Sequence, residues 1–344
     1  TIAGLGEDPH EGVEMFNMAA LCLRIATRAN GVSQLHGEVS RGLFAMVPGG
    51  SAITSVTNGV HARTWVSPTL QNLFDAQLGD GWDHGDEAAW SLINEVSSEA
   101  IVACRAATRT PLTDLLADRA GVALQPDALV VGFARRFATY KRANLLLRHA
   151  DTLAALLVDD DRPIHFVFAG KAHPADVPGK SLLADIVAYG RTPAANARFS
   201  FLPDYDIAVA RAMYFGCDVW LNNPVRPREA SGTSGEKAAL NGVLNCSILD
   251  GWWAEMSDGR NGWDIPTSDA AIDDVRDDEE SAATLAVLAK IVAEFHADGR
   301  GGPSAAWLDR MRHNWSTLGP KVTAARMVCD YQSQLYDPML AAQR

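Results

Sequence analysis

The amino-acid sequence predicts an α/β protein built on a doubly wound parallel sheet, and three observations carry that expectation. Five short apolar runs read as buried strands: Leu129-Val-Val-Gly-Phe133, Ile164-His-Phe-Val-Phe-Ala169, Phe199-Ser-Phe-Leu202, Val219-Trp-Leu221 and Asn245-Cys-Ser-Ile-Leu249. Helix-period apolar stripes lie between them, so the chain alternates strand and helix in the manner of βαβ units. Polar and cationic residues suited to binding collect just after the strands, and in such sheets ligands bind off the carboxyl ends.

Taken in order, Ile2 to His10 read as a loop. Gly4 and Gly6 do not make a dinucleotide loop, because no strand precedes them and the third glycine is missing. From Glu11 to Ala29 the residues Met15, Met18, Cys22 and Ile25 share one helix face, with Asn30-Gly31 as the stop signal. Residues 67 to about 120 read as helical and carry no chemical motif. After the first strand, Leu146, Ala150, Leu153 and Leu157 form the stripe of a helix. Leu182, Leu183, Ile186 and Val187 mark the next, and Ile207, Ala210 and Met213 the third. Ala282 to Phe295, Ala305 to Trp315 and Val322 to Leu335 are helices that close the fold. No repeat or low-complexity tract interrupts this order.

The 344 residues can bury one large or two modest cores, and 47% of them are apolar, as in an ordinary globular protein. The five cysteines are scattered without metal-ligand spacing, which points to a reducing cytosol. No apolar run reaches membrane-spanning length and no export leader is visible, so the expectation is a soluble, cytoplasmic protein. A net charge of −12 argues against a nucleic-acid partner. Against that acidic background Arg135, Arg136, Lys141 and Arg142 form a local cationic group fit for a small anion.

The chemistry concentrates in Glu229-Ala-Ser-Gly-Thr-Ser-Gly-Glu-Lys-Ala-Ala-Leu-Asn-Gly242, which follows the fourth strand and an Asn222-Asn223-Pro224 turn. Its small residues run into Lys237-Ala-Ala-Leu240, good helix formers, so the loop opens a helix. The free N–H groups and positive dipole end of that helix attract an anion, and Gly232 and Gly235 allow close approach. Lys237, about one turn in, can point its amine to the same place.

Glu-Ala-Ser-Gly-Thr-x-x-x-Lys resembles the cofactor loop of the α-glucan (glycogen, starch, maltodextrin) phosphorylases, of bacterial type. The resemblance implies pyridoxal 5′-phosphate carried as a Schiff base on Lys237. It places Glu229, with Ala230, Ser231 and Gly232, against the sugar, and Thr233, Ser234 and Gly235 beside the phosphates. Glu236 departs from the pattern, since relatives usually have a neutral residue, often Met, before the lysine. The carboxylate complements a helix N-terminus and points about 100° round the helix from Lys237.

Other segments are similar to the same family. Phe16-Asn-Met-Ala-Ala-Leu-Cys22 and Ala29 to Arg41 match a stretch before the second lobe, where His36 and Glu38 read as structural hydrogen-bonding groups. Ser55-Val-Thr-Asn-Gly-Val-His-Ala-Arg-Thr-Trp65 matches a segment in which Asn58 would lie near the glucosyl 6-hydroxyl and Trp65 near the cofactor ring. Arg136 and Lys141 inherit phosphate-binding roles, and Arg135 contact with the cofactor phosphate. Tyr205 is a candidate for the cofactor pocket, while Lys171 and His173 match without a role.

The resemblance thus implies the C-terminal, Rossmann-like lobe of a GT-B glycosyltransferase fold. Residues 1–54 would be a helical remnant of the N-terminal glucan-binding lobe, and residues 55–344 the lobe that binds cofactor and phosphate. The implied activity is reversible phosphorolysis of α-1,4-glucan by inorganic phosphate to glucose 1-phosphate, with retention, catalysed through Lys237, Arg136, Lys141 and Glu229. A homodimer is a further expectation, and no metal is expected. Two other readings remain open: a nucleotide-sugar glycosyltransferase of glycogen synthase type, and a non-catalytic glucan- or protein-binding relative.

Overall fold

The computed structural model describes residues 2–7, 16–299 and 301–342. A small parallel pair, β1 (Asn30–Gly31) and β2 (Thr54–Ser55), precedes the main sheet. The six main strands are β3 (Leu129–Ala134), β4 (Ile164–Ala169), β5 (Phe199–Leu202), β6 (Val219–Asn222), β7 (Leu244–Ile248) and β8 (Gly262–Ile265). All are parallel, in the order β5-β4-β3-β6-β7-β8. The order reverses between β3 and β6, so the connections leaving their carboxyl ends diverge and open a crevice.

Every residue of β3, β4, β6 and β7 is buried, which explains why those runs are apolar throughout rather than alternating. The pleat still sorts their side chains. Val131, Phe133, Phe166, Phe168 and Leu221 face one core, with the helices Asp273–Phe295 and Ala305–Leu318. Val130, Ala134, Val167, Ala169 and Trp220 face the other, with Ser98–Leu115 and Ile207–Gly216. The helical block after residue 67 is anchored on the first core by Phe74, which meets Trp82, Trp90 and Trp315 edge-on.

The five expected strands are present within a residue at each end. The sixth, β8, was not anticipated: Gly262-Trp-Asp-Ile265 is short, polar at one position and only half buried, as suits an edge strand. Three further expectations need correction. Ile2–Leu5 is a turn of helix rather than loop, residues 8–10 lying outside the described residues. The helix expected from Glu11 runs Met18–Ile25, and its supposed core face is exposed at Met18, Cys22 and Ile25, with Ala20 buried instead; Met15 lies outside the described residues. Periodicity finds an apolar face but cannot say that this chain covers it. Ile207 likewise points to solvent although Ala210 and Met213 are buried.

Candidate active site

The loop from Glu229 leads into the helix Thr233–Leu240. Gly232 caps it in the left-handed conformation at φ 89°, where a side chain would be strained. The helix is set deeply. Added carbon at Gly235 would lie 2.5 Å from Asn245 Oδ1 and 3.0 Å from the Trp252 ring, and Asn245 Nδ2 donates to the Gly235 carbonyl at 3.1 Å.

Lys237 and Glu236 leave this helix on different sides. The Lys237 amine turns inward and stands 3.9 Å from the centroid of Trp65 and 5.8 Å from that of Tyr214. The two rings meet edge-on at 5.7 Å, forming an aromatic corner. Burial pushes the Lys237 pKa down, against the opposing field of Glu236. A larger share of the amine is therefore unprotonated, the form that condenses with an aldehyde. Tyr205, half buried, shares a hydrogen bond with the Tyr214 hydroxyl. Tyr214 carries no signal of its own in the sequence, because it sits in an apolar run; its phenol is the polar handle that marks it.

Glu236 is fully buried, and neither carboxyl oxygen has a hydrogen-bond partner. Burial pushes its pKa well up, with Glu255 adding to the shift and Arg326 and Lys237 opposing it. Glu255 accepts from Thr57 Oγ1 at 2.9 Å and the Gln34 amide at 3.1 Å, and Arg326 donates to the Thr57 and Asn58 carbonyls at 2.6 and 2.7 Å. Asn58, half buried, is therefore pinned by its backbone carbonyl to Arg326.

The residues after β3 part company. Arg135 is buried. Its Nη2 lies 3.4 Å from Ser234 Oγ and its Nη1 3.5 Å from Glu229, yet Nε and Nη1 find no hydrogen-bond acceptor. Lys141 donates to both Glu229 oxygens at 2.9 and 2.6 Å. Its pKa is lowered to about 8 by burial and by Arg135, against the pull of Glu229. Arg136 is exposed and reaches the Tyr140 hydroxyl. Arg142 does not join them: it donates to the Asn223 and Pro224 carbonyls at 2.9 Å each and pairs with Asp277 and Glu280. The cationic group read from sequence is three residues, the fourth being a brace for the turn.

The remaining loop residues are tied from outside. Ser33 Oγ donates to the Ala230 carbonyl at 2.7 Å, so the N-terminal segment touches the loop. Ser231 is buried with its hydroxyl unpaired, and its carbonyl accepts from the Trp252 amide at 2.9 Å. Thr233 and Ser234 are half buried in the first turn. His36 accepts from the Val32 amide at 3.1 Å, a structural bond as expected. Lys171 and His173 are exposed, away from this constellation's hydrogen bonds.

Sequence reasoning missed Asp250 and Trp252. The signal was available, for Leu249-Asp-Gly-Trp252 puts a carboxylate at the carboxyl end of β7, where the other site residues also fall.

Pyridoxal phosphate fits these residues. Two buried guanidinium nitrogens of Arg135 and the Ser231 hydroxyl lack partners beside a helix N-terminus, which is a cradle for phosphate oxygens. An inward lysine with a lowered pKa stands one turn away against two aromatic rings. The chain is a member of the carbohydrate phosphorylase family, whose profile matches residues 8–265. It is 44% identical to glycogen phosphorylase of Mycobacterium tuberculosis over 97% of this chain and 41% of that one. It is 36% identical to glycogen phosphorylase of Aquifex aeolicus over 98% and 51%, and 34% identical to maltodextrin phosphorylase of Thermococcus litoralis over 95% and 41% of the respective chains. The chain thus spans about half or less of the length of these relatives.

Proposed function

We propose that this chain is the C-terminal, Rossmann-like lobe of a GT-B-type α-glucan phosphorylase, with residues 55–344 binding cofactor and phosphate and residues 1–54 contributing to the glucan-binding lobe. The observation that carries the reading is the placing of an inward Lys237, its pKa lowered by burial, with the unsatisfied donors of Arg135 at the same helix N-terminus. The reaction is reversible transfer of the terminal glucosyl unit of an α-1,4-glucan to inorganic phosphate, giving glucose 1-phosphate with retention. The enzyme would be cytoplasmic, with neither nucleic acid nor membrane as partner, and would work as a homodimer.

Lys237 tethers pyridoxal phosphate, and Trp65, Tyr205 and Tyr214 wall its ring. Arg135, Ser234 and the helix N-terminus take its phosphate oxygens. When bound, the cofactor would supply a phosphate group for acid–base chemistry at the glycosidic bond. Arg136 and Lys141 hold the substrate phosphate, offset the repulsion between the two anions, and stabilise charge in the oxocarbenium-like transition state. Glu229, the backbone of Ala230 to Gly232, and Asn58 hold the sugar hydroxyls. The Lys141–Glu229 pair keeps one group for phosphate and one for sugar within 2.6 Å of each other.

The test is phosphorolysis by a chimera that joins this chain to the N-terminal lobe of the Mycobacterium tuberculosis relative. Glucose 1-phosphate released from maltodextrin and inorganic phosphate supports the reading. No turnover, with nucleotide-sugar binding instead, would favour a glycogen synthase type of enzyme. That alternative wants a carboxylate free in the crevice, whereas Glu236 is sealed on the other side of the helix.

A further inference from the structure

The turn that follows β7 fits against the Glu229 loop like a mould. Asp250 is buried. One of its oxygens accepts from the Glu229 amide at 3.0 Å and the other from the Gly251 amide at 2.8 Å. Gly251 stands in the left-handed region at φ 54°, and a side chain there would run into the Ser231 carbonyl and meet that of Glu229 at 3.0 Å. Trp252 then donates its amide to the Ser231 carbonyl, while its ring lies 3.5 Å from carbon added at Gly232 and 3.0 Å from carbon added at Gly235. One tripeptide therefore contacts the loop from Glu229 to Gly235, and its only side-chain hydrogen bond to the loop goes to the residue whose carboxylate faces Lys141.

We propose that Asp250 is a positioning residue: with Gly251 and Trp252 it fixes the backbone of Glu229 and so holds the Glu229 carboxylate opposite Lys141. The consequence for function rests on the reading of Glu229 as the sugar-facing carboxylate, but the positioning itself does not. A carboxylate can accept both N–H groups at once. A protonated acid or an amide has one accepting oxygen and turns a donor toward the other N–H. Burial raises the Asp250 pKa to about 6; the Glu229 and Gly251 amides and Arg226 oppose that rise and Glu229 adds to it. Beyond Glu229 stand Lys141 and Arg135. The clamp is thus intact at neutral pH and loosens below about pH 6, and Asp250→Asn fixes the loosened form.

Lys141 reports on the clamp, because Glu229 raises its pKa against burial. The full chain has few lysines, so 13C-dimethylation followed by NMR titration resolves them. In Asp250→Asn the Lys141 proton affinity should fall about threefold or more. Gly251→Ala keeps the charge but pushes the loop, and should produce the same fall. A fall in Asp250→Asn alone would be a through-space charge effect and would overturn the proposal, as would no change in either. In the same samples, borohydride reduction with pyridoxal phosphate should still label Lys237. Loss of that label from the wild-type chain would break the proposed function and leave the Lys141 result standing.

Discussion

Two buried clusters of charge occupy opposite ends of the same parallel sheet, and they are built differently. At the amino end Asp218, just before β6, accepts from the Val130 amide at 2.8 Å and pairs with Arg105 and Arg109. Arg105 also donates to the Phe215, Cys217 and Asn241 carbonyls. Neither Arg105 nor Asp218 leaves a buried polar atom unpaired. At the carboxyl end Arg135 and Ser231 both do. The charges are of the same kind, so charge alone does not mark a site. The two clusters differ in satisfaction: the closed network braces the fold, whereas the open one leaves donors free for an incoming anion.

The largest effect should come from the closed end. Asp218→Ala strands a buried guanidinium, and urea denaturation should show a loss of about 3 to 5 kcal/mol. Labelling of Lys237 per folded molecule should not change. Arg135→Met removes a buried cation that leaves two of its three nitrogens without a hydrogen bond. Its stability should stay within about 1 kcal/mol of wild type, while pyridoxal phosphate, followed by absorbance titration, should bind about 10- to 100-fold more weakly. Large destabilisation by Arg135→Met without loss of affinity would erase the distinction.

Glu236 sharpens the comparison from another side. Its unpaired carboxyl should cost stability, so Glu236→Met should gain about 1 to 2 kcal/mol at neutral pH. The sign follows from linkage. A raised folded-state pKa gives a contribution that is whole below the ordinary value of 4.5 and is lost as pH rises toward the folded-state value. The advantage of Glu236→Met in denaturant midpoint should therefore vanish in acid and grow with pH above about 4.5.

The smallest effect concerns Lys141, which carries its charge below about pH 8 and loses it above. Affinity for sulfate, an anion of constant charge over this range, measured by calorimetry, should be about twofold lower at pH 8 than at pH 6.5 and fall further beyond.

Much of this was legible in the sequence, and the limits are physical. The strands were found because burial on both faces leaves unbroken apolar runs, while edge strand β8 lacks that signature. Lys237, Glu229 and Arg135 were singled out by the resemblance of their segments to a known cofactor loop and cationic motif; a lone lysine on a helix would have passed for a surface residue. Arg142 was misgrouped because sequence adjacency does not show direction; its φ of 50° turns it toward Asp277 and Glu280. Asp250 and Tyr214 escaped because their importance lies in contacts across the fold. The exposed face of Met18–Ile25 shows the same limit in reverse.

The central claim is that Lys237 is the tether, and one measurement addresses it directly. The chain is incubated with pyridoxal phosphate near neutral pH, reduced with borohydride, digested and mapped by mass spectrometry. The account predicts one dominant pyridoxyl adduct, on Lys237, abolished by Lys237→Ala and weakened by Arg135→Met. An adduct spread over exposed lysines such as Lys171, with Lys237 unmodified, would contradict it.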